Sequence, residues 1–158
     1  MRLAGAVCLV PLALAACGGS SPSAPRQARV ALAADPSPVQ EAPCGGCGAA
    51  TQQLWAVTTL SVRETGGVGG RVSGIAVSAR NDQGTMLGEG RFDAAGLAAL
   101  AGSSRLEANG SLEIPQLGPH YDRSLGGRPA TLSLTLQLDD DAGHRVEASL
   151  DVPVLPFR

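Results

Sequence analysis

The chain of 158 residues contains no lysine; all 12 of its basic residues are arginine, set against 14 acids and a net charge of −2. A mildly acidic protein lacks an overall positive field of the kind that nucleic acids and anionic lipid headgroups attract, which argues against both as partners. The missing lysines, beside abundant alanine, glycine and arginine, reflect codon usage in a GC-rich genome. Aromatic side chains are nearly as scarce: Trp55, Phe92, Tyr121 and Phe157 complete the set. Stacking platforms for sugars or unpaired bases need several rings on one face, and these four barely furnish a core. Reaction motifs are lacking too. There is no G-x-S-x-G, no H-E-x-x-H and no glycine-rich phosphate loop between a strand and a helix. The sequence therefore predicts no enzyme, no cofactor, no metal site and no small-molecule substrate. Finally, no apolar run is long enough to span a bilayer, which takes about 20 residues.

The apolar run that is present opens the chain. "MRLAGAVCLVPLALAAC" has one arginine, then small and apolar residues interrupted by Pro11, before "GGSSPSAPR" turns polar. This is the pattern of a signal peptide, residues 1–16. Its end, Leu14-Ala15-Ala16-Cys17, resembles the lipobox of bacterial lipoprotein precursors. The resemblance implies cleavage between Ala16 and Cys17 and a diacylglyceryl group on the Cys17 sulfur. Attachment then follows from burying acyl chains at about 0.8 kcal/mol per methylene, so several chains hold where one is marginal. The expected location is the cell envelope, anchored by lipid. Gly18 stands where the family's inner-membrane retention signal has aspartate, which implies the outer membrane in a host with two.

Residues 17–49 read as a linker. From Gly18 to Pro43 there are five prolines and no sustained apolar alternation, so ordering entropy is not repaid by burial and a disordered tether is expected. A helix over "RQARVALAAD" would have no core to dock on. Near the linker's end stands "PCGGCG". With Cys8 removed and Cys17 lipidated, Cys44 and Cys47 remain as a pair in an oxidising compartment. A structural disulfide closing a Gly-Gly turn, shaping the neck of the domain, is the expectation. Redox activity or metal handling by the same pair is the alternative, although no helix follows to lower a thiol pKa and only His120 and His144 are available as further soft ligands.

Residues 50–158 change period to two. "QLWAVTTLSVR" sets Leu54, Ala56, Thr58, Leu60 and Val62 on one side, and "RVSGIAVSAR" turns Ile75, Val77 and Ala79 inward. "TLSLTLQL" aligns Leu132, Leu134, Leu136 and Leu138, and "RVEASLDVPV" aligns Val146, Ala148, Leu150, Val152 and Val154; "DDDAGH" joins them as an antiparallel hairpin. "FDAAGLAALAG" predicts a short helix capped by Asp93. In "RLEANGSLEI" an Asn-Gly hairpin would mix apolar and acidic residues on shared faces. One strand with Leu106, Ala108, Leu112 and Ile114 inward, bulged at Gly110, is expected instead.

About seven short strands over this length predict an all-β, antiparallel β-sandwich. The pattern resembles the immunoglobulin and fibronectin type III architecture, without the Cys-Trp-Cys framework of true immunoglobulin domains. Sandwiches bind through strand edges and end loops, here "ETGGVGG", residues 115–129 and "DDDAGH", so an envelope protein partner or a structural role is expected. The three carboxylates of "DDDAGH" lack calcium-loop spacing and predict a solvated turn. "EANGS" fits a bacterial N-glycosylation pattern but is expected to be unmodified, and "HYD" (His120 to Asp122) gathers a base, a phenol and an acid in what is expected to be plain surface loop.

Overall fold

In the computed structural model, residues 26–44, 53–122 and 129–157 are described. Strict alternation does what it should. Pro129–Asp140 (β11) and Arg145–Leu155 (β12) pair antiparallel with Leu138 opposite Val146 and Leu132 opposite Val152. The four leucines of β11 are completely buried, each contributing roughly 1.5–3 kcal/mol of apolar transfer.

On the other edge of β11 lies Gly70–Asn81 (β6), and beyond it Met86–Asp93 (β7). In β6 Val72 and Ile75 are both buried although an odd spacing separates them. The register slips between Gln137 and Leu138, whose partners are Gly74 and Val72. A bulge at Ser73 thus returns both side chains to one face.

The facing sheet has three strands, ordered Val30–Asp35 (β1), Thr58–Glu64 (β5) and Ser111–Leu117 (β9), all antiparallel. Leu60, Val62, Ile114 and Leu117 meet the leucines of β11 in an aliphatic core, where Tyr121 is the buried aromatic among the described residues. The predicted helix is present as Ala94–Ala101 (α1), with the Asp93 carboxylate accepting from Gly96 N at 2.8 Å. Its buried Leu97 closes the side of the sandwich between β9 and β6.

Three expectations are corrected. The linker reading fails for residues 30–43, which contribute three strands. β1 pairs with β5 from Val30 opposite Glu64 to Asp35 opposite Thr59. After Pro36 and Pro38 the chain changes sheet, and Val39–Gln40 (β2) runs parallel to the end of β12. Ala42–Pro43 (β3) follows. The alternation "VALAAD" is too short and too proline-flanked to stand out by composition, yet Val30, Leu32 and Ala34 pack on the core.

The run 53–63 is likewise two strands. Gln53–Trp55 (β4) joins a separate small sheet with β3 and His120–Asp122 (β10), and β5 begins only after Ala56 and Val57. The expected inward side chains Leu54, Ala56, Thr58, Leu60 and Val62 are nevertheless all buried.

Residues 105–114 are neither a single strand nor a hairpin. Arg105–Leu106 (β8) pairs with β6, β9 pairs with β5, and the turn between them carries the chain from one sheet to the other. Leu106, Leu112 and Ile114 are buried as expected, but Ala108 is exposed. Gly110 N donates to Glu107 O at 2.9 Å, and Asn109 adopts φ +56°, a region asparagine tolerates better than most residues. Turn chemistry prevails here because the two halves bury their leucines against different partners.

Candidate functional site

Strand directions define two ends. One gathers residues 26–30, 64–70, 104–111 and 139–145; the other gathers 35–44, 53–58, 81–86, 116–122 and 152–157. The three binding segments named from the sequence are therefore divided. "ETGGVGG" and "DDDAGH" sit together at the first end, and the described part of 115–129 lies at the second.

The first end is organised by two buried carboxylates. Glu64, 1% exposed, accepts from the backbone N–H of Gly66 (2.6 Å), Gly67 (2.8 Å), Asn109 (2.9 Å) and Arg29 (3.1 Å). Burial works against ionisation, but these four donors outweigh it and hold the Glu64 pKa at about 2, against 4.5 ordinarily. Asp140 continues the same device: Oδ2 accepts from Ala28 N at 3.0 Å and Oδ1 from Ala142 N and His144 N, with the His144 ring 3.2 Å away. Desolvation opposes its charge, yet the Ala28 and His144 contacts lower its pKa. "DDDAGH" is thus not a simple solvated turn, since its middle strand-end carboxylate faces inward. Asp141 is outside, in a bidentate pair with Arg105 at 2.7 Å, which lowers the acid's pKa.

The second end is capped by the small sheet, ordered β10-β4-β3. Here Cys44 and the strand of His120 lie on either side of β4. Cys44 N donates to Gln53 O at 3.0 Å, and His120 lies opposite Trp55, with ring centroids 5.5 Å apart. His120 is exposed, and "HYD" forms a strand rather than the loop expected. Tyr121 points the other way, donating to Glu41 Oε1 at 2.9 Å; Glu41 Oε2 accepts from Phe157 N at 2.7 Å. Burial first, and then the Glu41 carboxylate, push the phenol far above its ordinary pKa. His120 and Tyr121, adjacent in sequence, are therefore turned to opposite faces of the small sheet. β7 passes directly beneath, where a Cβ on Gly88 would stand 2.6 Å from His120 O.

Cys44 is disulfide-bonded. Cys47, the partner expected for it, lies outside the described residues, as do Ala16 and Cys17 with the whole signal peptide. The position of Cys44 corrects the expectation that the pair shapes the neck: it caps the end opposite to the one where the chain comes in at Ala28 and Arg29. Among the described residues no group of three or more His, Cys, Asp or Glu side chains is placed to hold a metal ion. No described helix is long and apolar enough to cross a membrane. A depression of about 240 Å³ lies on the outer face of the larger sheet, lined by Ala76, Arg91, Thr135 and Gln137 among others.

Sequence reasoning missed Glu41, Glu64, Asn81 and Asp140, all buried. A signal was there. Each continues the inward parity of its strand, or for Glu41 of the strand just before it, one step beyond the last apolar residue: Val62 then Glu64, Ala79 then Asn81, Leu138 then Asp140, Val39 then Glu41. Asn81 uses its Oδ1 to accept from Gln83 N and Thr85 N, closing the predicted "NDQG" turn.

The architecture is an all-β, immunoglobulin-like sandwich: β1, β5 and β9 face β12, β11, β6 and β7, and the first strand switches sheet through β2. Where the inter-sheet disulfide of true immunoglobulin domains would join β5 to β11, the core instead presents Leu60, Val62, Leu134 and Leu136. No family model matches the chain, and no curated protein does. Solved structures with some similarity include CopC from Methylosinus trichosporium OB3b, at 15% identity and a TM-score of 0.36 over 84% of this chain and 97% of that one. Another is the ApaA protein from Bordetella pertussis, at 12% identity and a TM-score of 0.39 over 82% of this chain and 96% of that one. Likenesses this distant carry no argument about activity.

Proposed function

We propose that the chain is a lipid-anchored lipoprotein of the bacterial cell envelope whose sandwich is a non-catalytic module, binding a protein partner or serving a structural role. The observation that carries this is Leu14-Ala15-Ala16-Cys17 at the end of a short apolar leader, followed after eight residues by Arg26, the first described residue. Acyl chains on Cys17 supply the attachment. Gly18 favours the outer membrane where the host has two. The test is Cys17→Ser in the native host. Membrane fractionation should move the protein to the soluble fraction, and the mass of the wild-type mature protein should exceed that of residues 17–158 by the mass of the lipid. An unmodified amino terminus ends the reading.

A second reading uses Cys44 with Cys47 for redox or metal handling. Its support is the disulfide state of Cys44 and the neighbouring Trp55 and His120 on one exposed sheet face. Thiol titration of the reduced mature protein separates the two. A fast-reacting thiol of low pKa, or stoichiometric metal, favours the second reading; slow, ordinary thiols favour the first.

A further inference from the structure

We propose that the sandwich stands on the bilayer by the end that holds Glu64 and Asp140, with the loops 65–69, 107–110 and 141–144 against the lipid headgroups and the cap of Cys44, Trp55 and His120 turned away from the membrane. This rests on the lipidation of Cys17 argued above. Its own support is geometric. Ala28 N is held by Asp140 and Arg29 N by Glu64, so the chain that leads back to Cys17 leaves the domain at that end. Arg26 stands nine residue steps along the chain from Cys17, and fully extended these steps reach about 30 Å at roughly 3.3–3.6 Å each. From this end to the other, β6 and β11 run for 12 residues apiece, which at a rise of 3.2–3.4 Å is close to 40 Å. An inverted domain, cap against the membrane, would put Arg26 beyond the reach of its own anchor.

Side-chain chemistry at this end suits a phosphate-bearing surface. Arg26, Arg29, Arg63 and Arg71 are exposed there and have no carboxylate partner among the described residues. Arg105 and Arg145 are by contrast paired with Asp141 and Asp139. Guanidinium groups donate in a fork that matches phosphate oxygens, and basic residues near an anionic leaflet are drawn to it. The overall acidic charge, which argues against headgroup contact, averages over two ends that differ. The loops themselves are fit to bear on a surface because Glu64 and Asp140 fix their backbones. In this arrangement "ETGGVGG" and "DDDAGH" face lipid, and a protein partner meets the cap, where the exposed Met86, Leu155 and Phe157 also lie.

Trp55, the sole tryptophan, makes the test direct. The lipidated full-length mature protein is reconstituted into vesicles of phosphatidylethanolamine and phosphatidylglycerol, with and without lipid carrying a headgroup nitroxide quencher. Flotation reports anchoring, and fluorescence reports orientation. Trp55 emission should survive the quencher. An Ala142→Trp reporter in the wild-type background should lose the emission of its added ring and keep that of Trp55, and Gln27→Trp, on the incoming segment, should do the same. Protein that fails to float removes the anchor and this orientation with it. Protein that floats with Trp55 quenched as strongly as the reporters leaves the anchor standing and overturns the orientation alone.

Discussion

At the end where the chain comes in, turn backbones converge on carboxylates; at the opposite end, a three-stranded cap is fastened by side chains. Glu64 alone collects four backbone N–H groups from three separate segments. Glu41 ties Tyr121 to the C-terminal strand's end at Phe157. Both solve the same problem, that polar backbone at the rim of a sandwich must be paired once it is covered. The first solution makes loop geometry depend on one ionised group and hence on pH. The second presents an outward sheet face that carries Cys44, Trp55 and His120.

The contrast can be broken most severely at the cap. A Cβ on Gly118 would run into the carbonyl oxygen of Ala56, where β4 gives way to β5. Gly118→Ala should cost on the order of 3 kcal/mol or more, read as a large fall in melting temperature or loss of folded protein. Tolerance of that change would mean the cap is loosely seated.

Next comes the anchor-side hub. Glu64→Gln removes the charge that four donors share and should destabilise by about 3 kcal/mol at neutral pH in urea unfolding. Its pKa is depressed in the fold, to about 2 from 4.5. The stabilisation is therefore complete above roughly pH 4.5 and lost as pH falls toward 2, with Asp140 acting in the same direction. Wild type should lose stability steeply across that window and Glu64→Gln much less, which a series of unfolding curves between pH 2 and 6 would show. Equal slopes would deny Glu64 its place.

The smallest effect belongs to Tyr121→Phe, which deletes one hydrogen bond while Glu41 keeps Phe157 N. About 1 kcal/mol is expected, with faster hydrogen exchange confined to β10, β4 and β3. Faster exchange spreading to residues 64–70 would show that the two ends are not independent.

Much of this was legible in the residues. The leucines of β11 and the inward set of β12 lie where alternation puts them, and Asp93 caps α1 as its position before an alanine-rich run requires. The acids that organise the rims were harder to see. Glu64 and Asp140 keep the inward parity of their strands, but a charge at that parity reads as the end of a strand rather than as its final buried residue, unless the loop that will donate to it is known. The "RLEANGSLEI" stretch shows the opposite error. Its apolar parity was right, and continuity was inferred from it, although Leu106 and Ile114 bury against different sheets.

The sequence by itself determined the period of each long strand, the face it buries, the aliphatic character of the core and hence the all-β class, because these depend on neighbours two residues away. Only the tertiary structure decided that Val30–Asp35 is a strand, that Cys44 caps one end while the chain comes in at the other, and that His120 and Tyr121 face opposite sides of a sheet. Those outcomes depend on partners far along the chain, Glu64 for Val30 and Val154 for Val39. A pairing between distant segments leaves no periodic mark in either one.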